Sequence, residues 1–258
     1  MMKFFALDAG EPCGGFTPGH MGAVMVCIIL ITMAILLTYK RNMDMDNFLM
    51  AIGLICAVFE VVKIAWGLSV HRYSNYANYI PLWFCSLFVP ASIAAGFCKG
   101  KIRRVALSFM YYGGMIGGMA YLLFPATSLF KFPLFHFISV HSMLYHSLMI
   151  YTGLMIVWKK VFVPNPKDFL PYFAVTTIAC VLAYQINAVC GTNLMFLNRP
   201  SNNEILKNVL DFAGAWYPAV ITLCQNIGTF VVSYGLYEGI LYFVKKQNQE
   251  YTQYGFIR

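Results

Sequence analysis

Along the 258-residue chain, seven apolar stretches alternate with short polar segments. They fall near 21–39, 47–69, 80–97, 104–124, 136–158, 168–190 and 216–243. A hydrocarbon core of ~30 Å takes about 20 helical residues to cross, and backbone in lipid must satisfy its own hydrogen bonds. The pattern therefore predicts an all-α membrane protein: a seven-transmembrane-helix bundle forming one polytopic domain over residues 1–258. Between the runs lie KRNMDMDN, HRYSNYANY, CKGKIRR, PATSLFKFP and KKVFVPNPKD. The longest connection, GTNLMFLNRPSNNEILKNVLDFAGA, reads as a loop.

Charge gives the bundle a direction. Alternate loops place Lys40, Arg41, Lys99, Lys101, Arg103, Arg104, Lys159, Lys160, Lys167, Lys245, Lys246 and Arg258 on one side, and Lys3, Arg72, Lys131, Arg199 and Lys207 on the other. Basic residues accumulate on the cytoplasmic side, so the N-terminus is expected outside and the C-terminus in the cytoplasm. The net charge of +8 is then a matter of topology and not of nucleic-acid binding. Composition agrees: 60% of residues are hydrophobic and 11% charged, against roughly 25% charged in soluble domains. A multi-pass protein of the cell membrane, with membrane lipids as partners, is the expectation. The opening MMKFFALDAGEPCGGF carries no long apolar run, so it does not read as a cleavable signal, and the first span would direct insertion. Five of the eight cysteines lie within apolar runs, where a free thiol behaves as a small hydrophobe. No CxxC or Cys/His cluster points to a metal, and no cofactor is implied. Cys13 and Cys190 fall on one side, which leaves a disulfide between them open.

Polar groups converge at one depth. At ~1.5 Å of rise per residue, Cys85 lies about 8 Å from the outer end of the third run, with Ser86 beside it. His141 is at a similar depth on the fifth run, and His146 roughly 7 Å deeper. Tyr184, Gln185 and Asn187 approach the same level on the sixth. Glu60 and Lys63 sit about 9–14 Å below the outer end of the second run, one helical turn apart. An isolated charge in the bilayer costs ~2.5–3.5 kcal/mol even on a lenient scale, and intramembrane ionisable residues mark functional sites. Bland alternatives stand beside this. Cys85 could be an ordinary core thiol, Ser86 could bond its own helix, either histidine could be a satisfied core group, and Gln185 and Asn187 could be interhelical glue.

Cysteine with histidine is also the minimal set for covalent acyl transfer: a thiolate attacks and an imidazole takes its proton. Glu60 or Asn187 could orient that imidazole. A binding or proton-coupled transport protein is the competing class, with Glu60, Lys63 and His141 as its site, and a non-catalytic scaffold is a third. Pro81 is read as fixing the start of the third helix, which would put Cys85 about one turn in, near unpartnered amides and the positive end of the helix dipole.

Four stretches carry a resemblance. Pro81-Leu82-Trp83-Phe84-Cys85-Ser86-Leu87 resembles the LPLHLCSL signature of YwaF-type bacterial integral membrane proteins. Glu60 in VFEVVKIAWG, His141 in Ser139-Val140-His141, and Gly191-Thr192-Asn193-Leu194-Met195-Phe196-Leu197 match further positions in order, followed by Arg199-Pro200 and Ala215-Trp216-Tyr217. That group is related to the transmembrane-protein-164 family, which resembles a cysteine-dependent phospholipid acyltransferase. The resemblance implies Cys85 as nucleophile and His141 as its histidine, with Asn193 in the shared loop. Trp83 departs from it, standing where the signature has a histidine.

Overall fold

A computed structural model describes residues 2–200 and 204–255. Ser201–Asn203 of the long connection, and Arg258 among the counted charges, lie outside the described residues. The described chain is helical, without strands. After a single turn at Met2–Phe5 come α1 (Pro18–Thr38), α2 (Met45–Ser69), α3 (Phe88–Phe97), α4 (Gly100–Leu123), α5 (Phe137–Trp158), α6 (Phe169–Cys190) and α7 (Glu204–Ala213). The last helix, α8, joins Tyr217–Leu223 to Thr229–Gly255 through a π-helical turn.

Six helical stretches among the described residues are long and apolar enough to cross a membrane: Pro18–Thr38, Met45–Ser69, Gly100–Leu123, Phe137–Trp158, Pro166–Cys190 and Leu206–Lys246. This is a membrane protein built of apolar helices. Their outward faces agree, since Val26, Ile29, Leu36, Leu37, Leu54, Val58, Val61, Val232 and Ile240 are all exposed. In contrast, α5 is the central helix, and nearly every turn of it is buried.

The third apolar run behaves differently. Residues 80–87 form turns, and the helix begins only at Phe88. The reason is Pro90. In a helix running from residue 80, its ring would strike the carbonyl of Ser86 and one bond would be lost, at ~3 kcal/mol or more. Beginning at Phe88 puts Pro90 in the first turn, where backbone N–H groups lack intrahelical partners anyway. Pro81 therefore does not start the helix, and Cys85 lies ahead of it rather than one turn in. The ten residues of α3 span only ~15 Å.

The long connection is not wholly a loop either, because Glu204–Ala213 is helical. Leu206, Val209, Leu210 and Ala213 line its inner face, packing on a core of Ala183, Leu194, Met195, Leu197 and Tyr217. That spacing is a helical stripe.

Helices meet at glycines and buried polar bonds. A Cβ on Gly96 would come within 2.8 Å of the Asp46 carbonyl, and one on Gly118 within 2.8 Å of the His146 carbonyl. Small residues thus set the approach of α3 to α2 and of α4 to α5. Ser92 Oγ donates to the Leu49 carbonyl at 2.7 Å, and His20 Nε2 bonds the Leu122 carbonyl at 2.8 Å. At the Arg104 end, Asp168 accepts from Arg104 Nε at 2.6 Å and from its terminal nitrogen at 3.0 Å, joining α4 to the turn before α6.

Candidate functional site

At the end opposite Lys99–Arg104, the last turns of α2 and α4 and the first turns of α5 enclose a cavity of about 170 Å³. Its walls include Glu60, Lys63, Cys85, His141 and His146, five of the residues singled out above. Each arrives on a different logic. Glu60 and Lys63 are one turn apart on α2, and their side chains pair at 2.6 Å. His141 and His146 share a face of α5 with Ser142 and Tyr145. Cys85 is held by a tight turn in which Ser86 N and Leu87 N both donate to the Trp83 carbonyl, at 2.9 and 3.3 Å.

Hydrogen bonds fix the histidine tautomers. His141 Nε2 lies 2.8 Å from the Phe59 carbonyl, and a carbonyl only accepts, so the proton is on Nε2. Nδ1 keeps its lone pair; it is buried and has no partner. His146 Nδ1 donates to the Ser142 carbonyl at 2.7 Å, and its ring stacks on Tyr121 with centroids 3.7 Å apart. The Cys85 thiol is not hydrogen-bonded to either imidazole. Tyr145 steadies the Cys85 backbone instead, its hydroxyl donating to the Cys85 carbonyl at 3.1 Å.

The remaining candidates stand behind the wall. Ser86 is buried, and its hydroxyl donates to Glu60 Oε1 at 3.2 Å, so it orients the carboxylate. Its amide is spent on the Trp83 carbonyl, whereas the Cys85 amide donates to no other group among the described residues. Asn187 and Asn193 do not line the cavity. Asn187 Oδ1 accepts from Thr192 Oγ1 at 2.6 Å and from Leu194 N at 2.7 Å. Asn193 Oδ1 accepts from the amides of Asn198 and Arg199, both at 3.1 Å. Together they build the turn that delivers Phe196 to the cavity wall, 5.3 Å from Trp83 between ring centroids. Tyr184 is exposed and turned away, and Cys13 and Cys190 are both free thiols.

Four wall residues were not foreseen: Arg72, Tyr121, Tyr145 and Trp83, the last noted only as a departure. Tyr145 was readable, being four residues after His141 and therefore on the same helix face. Among the described residues, no three of His, Cys, Asp and Glu are grouped as a metal site.

No curated protein and no solved structure matches the chain. The sequence model of the TMEM164 family, however, matches residues 15–236. That stretch takes in α1 to α6 and every residue of the cavity wall, and on that match the chain belongs to the TMEM164 family.

Proposed function

We propose that this protein is an integral membrane acyltransferase that moves a fatty acyl group from a phospholipid through a thioester on Cys85. The observation that carries the reading is the His141 ring: tautomer set by the Phe59 carbonyl, with an unpartnered, buried Nδ1 on the same cavity as a free thiol. A buried lone pair with nothing to accept is costly unless it has a task.

The Cys85 proton passes to His141 Nδ1 as sulfur attacks the ester carbonyl, forming the C–S bond. The unspent Cys85 amide is a donor for the oxyanion. Collapse breaks the ester C–O bond, and the imidazolium returns its proton to the departing lysolipid oxygen. An acceptor hydroxyl then gives its proton to Nδ1 and attacks the thioester, forming a C–O bond and breaking C–S, and the thiolate is reprotonated. Glu60, held by Lys63 and Ser86, supplies fixed charge beside the thiol. The free Cys85 is separated from the imidazole, so substrate must bring the two together, as in resting sites with loose geometry.

An alkynyl acyl probe tests this. Wild-type protein should carry label released by neutral hydroxylamine, as a thioester is. Cys85→Ala should carry none, and His141→Gln, which keeps a donor for Phe59, should label about 10²–10⁴-fold more slowly. Undiminished label on Cys85→Ala would sink the mechanism.

The same reading includes a cell-membrane location, kinship with YwaF-type proteins and a seven-segment crossing in which residues 80–97 traverse as turns plus α3. The N-terminus is outside and the cavity in the outer half. The charge bias between loops supports that orientation. A single-cysteine tag in the 99–104 turn should resist a membrane-impermeant thiol reagent on intact cells, and one near Thr192 should react. The reverse pattern would invert the topology.

A further inference from the structure

The cavity has one cation too many. Lys63 is matched by Glu60 at 2.6 Å, and Ser86 takes up the same carboxylate oxygen. Arg72, also on the wall, has no carboxylate within 4.0 Å among the described residues. One terminal nitrogen donates to the Thr127 carbonyl at 3.2 Å. Otherwise the guanidinium is packed among rings, 5.4 Å from Trp66, 5.1 Å from Tyr73 and 5.5 Å from Phe132. Aromatic faces hold the plane of the fork in place without neutralising it. The result is an oriented, half-buried positive charge with donors left over.

We propose that Arg72 is the anion anchor of this cavity and that its ligand is the phosphodiester of a glycerophospholipid. The inference rests on the acyl-transfer reading and deepens it. An ester able to acylate Cys85 is itself uncharged, so the negative charge that Arg72 calls for must come from elsewhere in the donor molecule. A free carboxylate would satisfy the fork but cannot acylate a thiol without activation. A phosphodiester carries two equivalent non-bridging oxygens that match two guanidinium N–H groups, and it sits a few bonds from the acyl ester. At about 170 Å³ the cavity is smaller than the ~300 Å³ of ordinary ligand sites. It takes the polar end of a lipid and leaves the chains outside. Tyr73 and Tyr79 on the wall suit the headgroup level, where amphipathic rings gather. Arg72 is thus a positioning residue: it sets which ester is presented to the sulfur.

The test is binding, in a Cys85→Ala background so that no acylation contributes. Purified protein in a non-ionic maltoside detergent is titrated with dioctanoylphosphatidylcholine, with dioctanoylglycerol and with inorganic phosphate, following the thermal midpoint. The phospholipid should bind at least tenfold more tightly than the diacylglycerol. Arg72→Gln should erase that difference, and Arg72→Lys, which keeps charge without the fork, should retain part of it. Equal binding of both lipids by the Arg72 protein overturns the proposal even if Arg72→Gln does not fold, as does a folded Arg72→Gln with unchanged preference. Full stabilisation by inorganic phosphate alone would make this a free-phosphate site and also overturn it. Loss of labelling chemistry at Cys85 would defeat the acyl-transfer reading while leaving these titrations to stand or fall separately.

Discussion

Asp168→Ala should lower folding stability by about 2–4 kcal/mol, a large share of what a helical bundle holds in reserve. The carboxylate is 2% exposed and accepts four bonds: two from Arg104, one from the Tyr112 hydroxyl at 3.3 Å and one from Asn165 N at 3.0 Å. Removing it leaves the Arg104 charge without its counter-ion and strips the turn before α6 of its organising group. The figure lies toward the low end for buried pairs because the Arg104 side chain is about half exposed, where water screens the loss. Cys27, Cys56 and Cys180 are buried free thiols. Their reaction with a thiol-sensitive dye on heating reports the transition, and an unshifted midpoint would show that the bidentate pair is dispensable. Arg104→Lys, which keeps charge but loses the two-pronged geometry, should fall between.

The second large effect is expected at Gly118. Its would-be Cβ meets the His146 carbonyl at 2.8 Å and Ile150 Cγ1 at 2.9 Å. A carbonyl on a packed helix cannot yield as a flexible side chain can, so Gly118→Val must push α4 away from α5. Overpacking of this kind costs about 1–3 kcal/mol and at times more. Because α5 carries His141, Tyr145 and His146, the displacement also opens the cavity, and acyl-probe labelling should fall with stability. Gly117 is the control: a Cβ there meets nothing nearer than Phe84 at 3.8 Å. Gly117→Ala should be nearly silent, and a Gly118→Val protein as stable and active as Gly117→Ala would refute the close approach.

Hydropathy alone located the long helices, because length and continuous apolarity are local properties. The expected 136–158 run is Phe137–Trp158, and 47–69 is Met45–Ser69. It misread the third run, where apolar character persists through Pro90 although helix geometry cannot. It also passed over Glu204–Ala213, whose apolar stripe is too sparse for a hydropathy sum but has the right period. At the site, depth counting along separate helices brought Glu60, Lys63, Cys85, His141 and His146 to one wall. The same counting misjudged Asn187 and Asn193, because depth says nothing about direction. Their amides are consumed by the turn at 191–199. Arg72 escaped notice because it was counted as a topological charge in a loop, and only the fold turns that loop over the cavity.

The π-helical turn at Phe109–Met115 has a consequence for how the family's sequences can vary in length. Such a turn holds one residue more than an α-helical path, and in α4 it leaves the Tyr112 carbonyl to accept Ser233 Oγ from α8 at 3.0 Å. Everything after it is set in phase by that extra residue. Deleting any one position between 109 and 115 would relax the turn to ordinary helix and rotate Ile116–Leu123 by about 100°. Gly118 would swing off the α5 carbonyl and Tyr121 off the His146 ring together. Substitutions within the turn change one contact each, whereas the loss of one residue moves a whole wall of the cavity, so the spacing between Ser108 and Gly118 is under stricter constraint than the residues that fill it.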